Sequence, residues 1–404
     1  MRVGYLLLGL ILSACGGGSV GSSGGGSPHM DFSVSTTPAN STLSPSFMGH
    51  TKVMVGFSGS SVSGDSAPFD MQYQYLNSGK FSTYNHARCM SALDLVSSCP
   101  WWGAWQEESQ VRGLFATRFI NTAKARTWNS VSRPQIPFFT YYMVLPASGL
   151  SEGVAETYAL DDQTFLTAYF DDWRFLLQKI GNEQAMLHIE PDLFGYLKAR
   201  AATTTTGQPS DIPAKVTQSN PDCVGYANDA TGFAKCMIHM VRIYAPNATV
   251  GLHFSPWTYT NAGDATSWAN FMIAMGAADG DFLVADSTDR DADWYRLVLG
   301  QPGHDWDVAR MTTFLQWTKD VSTAVGKPFF LWQLPLGNSY QNNTYQHYKD
   351  QRVELLFAHI AELRDAHVAG MLFGSGETAQ TYVESDGGLL IGKTKQHYIS
   401  RGGD

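Results

Sequence analysis

Apolar and polar positions along this chain follow two alternating periods. Short apolar runs occupy residues 52–57, 71–76, 136–144, 185–190, 249–255, 281–286, 328–334 and 368–374. Between them lie longer stretches whose apolar residues recur at helical spacing, at 161–180, 232–244, 265–277, 307–325 and 349–366. Runs of about four to eight residues rich in Val, Ile, Phe and Tyr read as buried strands, and the longer periodic stretches as amphipathic helices. Strands that are apolar on both faces, alternating with helices, imply a parallel sheet covered by helices. Eight such units over residues 50–404 predict an α/β protein built as a (β/α)8 TIM barrel with long loops. A doubly wound open sheet is the rival topology. No glycine-rich phosphate loop follows any of the runs, which weakens a nucleotide-binding version of that rival. The second run, Met71-Gln72-Tyr73-Gln74-Tyr75, is the least typical because it alternates.

The chain begins differently. Arg2 precedes an apolar stretch, Tyr5 to Leu12, that is too short to span a bilayer. Leu12-Ser13-Ala14-Cys15 then resembles the bacterial lipobox. That resemblance implies residues 1–15 as a lipoprotein signal, cleaved before Cys15, with a lipid anchor on its thiol. Gly16 to Ser27 are nearly all Gly and Ser, and Ser, Thr and Pro dominate the next twenty residues, so residues 16–49 read as a flexible, disordered tether. Gly16 after the cysteine, in place of aspartate, favours the outer membrane if the cell is Gram-negative. The expected location is therefore the cell envelope, with an ordinary secretory signal as the alternative. The remaining cysteines are Cys89, Cys99, Cys223 and Cys236. An even number in an exported chain suggests disulfides; of three possible pairings the local ones, Cys89–Cys99 and Cys223–Cys236, are the simplest. Their spacing does not suit zinc.

Composition narrows the choice of partner. The net charge is −9 and only 16% of residues are charged, which argues against nucleic acid, since its binders carry a basic stripe. Aromatic residues make up 13% and suit stacking against neutral rings, although such side chains also fill cores. A monomer with no cofactor is expected.

In a barrel, chemistry collects where strands end at their carboxyl side. The most informative run is Met186-Leu187-His188-Ile189-Glu190-Pro191-Asp192, where proline must end the strand and leave two carboxylates beside its end. The other strand ends supply Gln74 and Tyr75, Tyr141 and Tyr142, His253, Ser255 and Trp257, Asp286 followed by Asp289, Arg290 and Asp291, Trp332 and Gln333, and Glu377. Trp101, Trp102 and Trp105 form a candidate stacking platform in the long second loop, and 338–345 is a polar, aromatic rim. The expected catalytic carboxylates are Glu190, Asp286 and Asp192. Tyr142, His253, Trp257, Trp332, Gln333, Glu377, Trp102 and Trp105 are expected to bind substrate. Each has a plainer use: Glu190 could tie down a loop, and Asp192 and Asp286 could cap helices. Metal ligation is not expected, because no His-x-His or HExxH pattern occurs.

With carboxylates and aromatic rings at the strand ends, the chain resembles the (β/α)8-barrel glycoside hydrolases over residues 50–400. That resemblance implies hydrolysis of a poly- or oligosaccharide by paired carboxyl groups. In the large retaining clan the acid/base glutamate ends strand 4, and Glu190 matches it by strand count. The clan's nucleophile ends strand 7, where this chain reads Phe329-Phe330-Leu331-Trp332-Gln333-Leu334 and has no carboxylate. Asp286 or Glu377 would have to supply the second group. The Glu-Pro-Asp tripeptide is also similar to one in the inverting cellobiohydrolase/endoglucanase family with a distorted barrel. The rival functions are a non-catalytic glycan-binding surface lipoprotein on the same scaffold and a metal-dependent hydrolase.

Overall fold

The computed structural model describes residues 46–59, 64–77, 113–256, 262–288, 290–376 and 378–399. All lie in one compact unit, Ser41–Asp404. The expected Cys15 anchor, the Cys89–Cys99 pair, Trp101, Trp102, Trp105, Trp257, Asp289 and Glu377 fall outside the described residues.

Eight strands form the frame: β1 (Met54–Phe57), β2 (Met71–Leu76), β3 (Ile136–Tyr141), β4 (Met186–Ile189), β5 (Thr249–Phe254), β6 (Phe282–Ala285), β7 (Phe329–Leu334) and β8 (Val368–Phe373). Each pairs in parallel with its sequence neighbours, and β1 also pairs with β8. The sheet therefore closes into a barrel, as the alternation of runs predicts, and the open-sheet topology is excluded. The described helices include α1 (Leu114–Lys124), α2 (Gln163–Ile180), α3 (Leu193–Ala201), α4 (Ala230–Tyr244), α5 (Ala262–Met275), α6 (Val308–Val325), α7 (Arg352–Ala358), α8 (Ile360–Asp365) and α9 (Leu389–Ile399). The long helices start where sequence supplies a side-chain acceptor. Asp162 caps α2, Asp229 caps α4 and Asp307 caps α6. Cys223, in the turn before α4, is bonded to Cys236 within it, the local pairing expected.

Strand alternation divides the core in two. Met54, Met71, Tyr73, Ile136, Phe138, Met186, Phe282, Val284, Phe330, Trp332 and Leu372 point inward and fill the barrel. Val55, Phe139, Leu187, Leu252, Leu283 and Leu331 point outward into the helical layer. Phe47 closes the floor, its ring centroid 5.9 Å from that of Phe282 and 5.1 Å from that of Phe330. Large rings fit because glycines face them: a Cβ on Gly251 would lie 2.5 Å from the Phe282 ring, and one on Gly370 2.5 Å from the Phe330 ring.

That fit yields a stability prediction. Gly251→Ala also drives a methyl to 2.6 Å from the Phe282 carbonyl oxygen, which cannot swing aside. Overpacking of this kind costs about 1–3 kcal/mol. The expected result is a lower urea midpoint at unchanged slope. An unaltered midpoint would show that the interior yields freely.

Candidate active site

At the carboxyl ends of β2 to β8 lies a cavity of about 460 Å³. Its lining includes Tyr75, Tyr142, Asp192, Asp286, Trp332 and Gln333, all of them strand-end residues by sequence. The connections between strands add Glu152, Arg290, Tyr295 and His304, and the first turns of α3 and α6 add Tyr196 and Arg310. Glu152 and Asp192 come from the β3–β4 side, whereas Asp286 and the arginines Arg290 and Arg310 come from β6 through the start of α6. The Tyr295 and His304 rings are stacked, with centroids 3.7 Å apart.

Asp286 sits just beyond β6 with its side chain 16% exposed, and Oδ1 is 3.2 Å from His253 Nε2. It caps no helix; that position falls to Asp291. Asp192 is the residue before α3, yet its carboxylate makes no capping hydrogen bond. It has a left-handed φ of 69° and accepts from Ser255 Oγ at 3.4 Å.

His253 belongs to a buried polar chain through the upper barrel. Its Nδ1 lies 2.9 Å from His188 Nε2, and His188 Nδ1 lies 3.2 Å from Thr140 Oγ1. All three residues are fully buried. Trp332 packs across both imidazoles at centroid distances of 4.9 and 5.6 Å. Burial first, and then His253, hold His188 well below the usual imidazole range, so it is neutral.

Glu190 is placed differently from the sequence expectation. The strand ends at Ile189 as Pro191 requires, but Glu190 takes a φ of 46°, which breaks the in–out alternation that would have turned its side chain inward. The carboxylate meets the helical layer instead. Oε1 accepts from Tyr169 of α2 at 2.8 Å and from the Met143 and Val144 amides at 3.0 and 3.2 Å. The side chain is fully buried and is not among the described residues lining the cavity. Burial pushes it up to about 8 against the pull of those donors. Glu156 is likewise pushed up to about 8, by burial and then by the charge of Glu190.

Two other buried carboxylates fix the rim. Asp291 accepts from the Gly337 amide at 2.8 Å and the Thr381 amide at 2.9 Å, which ties together the loops after β6, β7 and β8. Burial, and then Asp350, push it up to about 7. Asp350 accepts from the Ala292 amide at 2.8 Å and pairs with Arg352, which donates to the His304 carbonyl at 2.9 Å. Among the described residues no three His, Cys, Asp or Glu side chains are grouped to hold a metal ion.

His188 was the site residue that strand reading could have found, since it shares the inward face of β4 with Met186. Glu152, Tyr295 and His304 come from the connections between strands, and Tyr196 and Arg310 from the first turns of α3 and α6, with no local signature of a site.

No family model matches the chain, and no curated protein matches it. Solved structures resemble it at low identity. A Cellulomonas fimi endo-β-1,4-mannanase double mutant is 9% identical with a TM-score of 0.48, over 87% of this chain and 71% of that one. The Ignisphaera aggregans GH53 catalytic domain is 9% identical with a TM-score of 0.43, over 81% and 86%. An engineered protein is 10% identical with a TM-score of 0.48, over 86% and 69%.

The raised carboxyls set a pH dependence of stability. A glutamate raised from about 4.5 to about 8 on folding stabilises fully below the lower value and loses that contribution as pH rises through the upper one. The melting temperature should therefore fall between pH 5 and 8. Glu190→Gln, neutral throughout, should flatten the slope; a slope identical to the parent's would contradict this placement of Glu190.

Proposed function

We propose that this chain is a glycoside hydrolase whose reaction takes place in the mouth cavity, on a poly- or oligosaccharide. The observation that carries the reading is one cavity at the carboxyl end of a closed barrel, holding two aspartates from different strands among aromatic rings. Carboxyl pairs do the proton and nucleophile work of glycoside hydrolysis, and flat rings carry sugar faces. Asp192 is the proton donor to the leaving oxygen. It lines the cavity from the β4 end, with Glu152 and Tyr196 in the same lining. Asp286, facing an imidazole nitrogen, is the carboxylate that attacks the anomeric carbon or deprotonates a water that does. The role expected of Glu190 thus passes to Asp192, and Glu190 holds the β3 connection that carries Tyr142. Tyr142, Trp332 and Gln333 are the substrate contacts among the expected residues, with Tyr75, Tyr196 and Tyr295 added. Export and a lipid anchor on Cys15 belong to the same proposal: they would put the enzyme on the cell envelope, facing polymeric glycan.

Release of reducing sugar by the full chain from a panel of bacterial and plant polysaccharides tests this reading. Asp286→Asn and Asp192→Asn should each lower kcat by about 10²–10⁴-fold, the usual worth of a positioned acid or base. Glu190→Gln should cost less than about 10²-fold, the scale of a 1 Å positioning defect. Binding of a glycan without release of any sugar would replace the enzyme with a glycan-binding lipoprotein.

A further inference from the structure

Among the described residues the Thr140–His188–His253 chain ends on Asp286. Among the described residues Thr140 Oγ1 has no hydrogen-bond partner other than His188, and each imidazole nitrogen has one partner. These two facts fix where the protons can be. If Asp286 is ionised, His253 Nε2–H must donate to it, and His253 Nδ1 is then bare and accepts from His188 Nε2–H. His188 Nδ1 is then bare as well and accepts from the Thr140 hydroxyl. Every donor is used. If Asp286 carries its proton on Oδ1 and donates it to His253 Nε2, or if His253 carries a second proton, the direction reverses: His188 Nδ1–H donates to Thr140, and among the described residues the threonine hydroxyl hydrogen is left with no acceptor in a fully buried place. A buried donor without a partner is costly.

We infer that Thr140, through the two imidazoles, is a positioning residue that locks both rings in the Nε2–H form and thereby holds Asp286 Oδ1 as a bare acceptor at the cavity. The inference rests on the proposed reaction for its catalytic meaning and on geometry alone for the tautomers. Among the described residues the ring neighbours of His188 are Phe138, Trp332 and His253, and His253 is the titratable group that acts on it. Asp286 shares the cavity with Asp192 of the β4 end, Glu152 of the β3 connection, and Arg290, His304 and Arg310 after β6. Those charges act alike in any Thr140 variant, so a change made at Thr140 isolates the chain.

Two measurements on the full chain test it. Nitrogen-15 NMR of the histidine rings, assigned with His188→Gln and His253→Gln, should show both rings protonated at Nε2 and bare at Nδ1 at neutral pH. Thr140→Val should mix the tautomers, and Thr140→Ser should keep the parent pattern. His188 protonated at Nδ1, or an imidazolium in the pair, would overturn the inference. In the second measurement, Thr140→Val should move the acid limb of the kcat/KM profile upward by about half a pH unit, the scale of one oriented hydrogen bond. Thr140→Ser should restore the parent limb, and a limb unmoved by Thr140→Val would also overturn the inference. If no glycan is cleaved the proposed function fails, and the NMR result alone then decides the tautomer lock.

Discussion

Polar side chains inside a closed barrel are costly to bury unless they find partners there, and Tyr73 and Trp332 keep an unpaired hydroxyl and indole N–H in this one. Water is excluded from the packed interior, and a buried donor or acceptor left unpaired costs about 1–3 kcal/mol. This constraint shapes the upper half of the molecule. Below, the barrel is filled by Met54, Met71, Phe282 and Phe330, which need nothing but space. Above, Thr140, His188 and His253 can be buried together because they satisfy one another and end on Asp286 at the cavity. The same rule explains Glu190, whose carboxylate is tolerated without water because Tyr169 and two backbone amides donate to it.

The loops of the mouth are tied together for a related reason. Loops at the top of a barrel have little core of their own, and a cavity between them needs its groups held in place. Asp291 and Asp350 supply the fixing points. Between them they accept backbone amides from Ala292, Gly337 and Thr381, and Arg352 extends the network to the loop that carries His304. These are charges spent on geometry, and they leave Asp192 and Asp286 as cavity carboxylates from the β4 and β6 ends.

Much of the fold was legible because burial on both strand faces leaves uninterrupted apolar runs, and all eight runs became barrel strands. The run 71–76 looked weak because Gln72 and Gln74 are polar; both are buried in the barrel wall, Gln72 donating to the Gly59 carbonyl and accepting from Arg126. The predicted helix at 349–366 divides at His359, whose φ of −122° leaves the helical region. The candidate site was legible where period two survives to the strand end, as at Asp286 and Trp332. It failed at Glu190, because a left-handed residue before Pro191 reverses the expected face and no residue pattern announces it. Glu152, Tyr196 and Arg310 reach the cavity through tertiary placement of a loop and two helix starts, which local periodicity does not encode.

The central claim is that sugar lies between Asp192 and Asp286 and away from Glu190. The most direct measurement is a crystal structure of the Asp286→Asn variant soaked with an oligosaccharide that the parent cleaves. The account predicts a glycosidic oxygen within hydrogen-bonding distance of Asp192, a sugar ring against Trp332 or Tyr142, and Glu190 still bonded to Tyr169. A sugar bound elsewhere, or one that contacts a displaced Glu190, would contradict it.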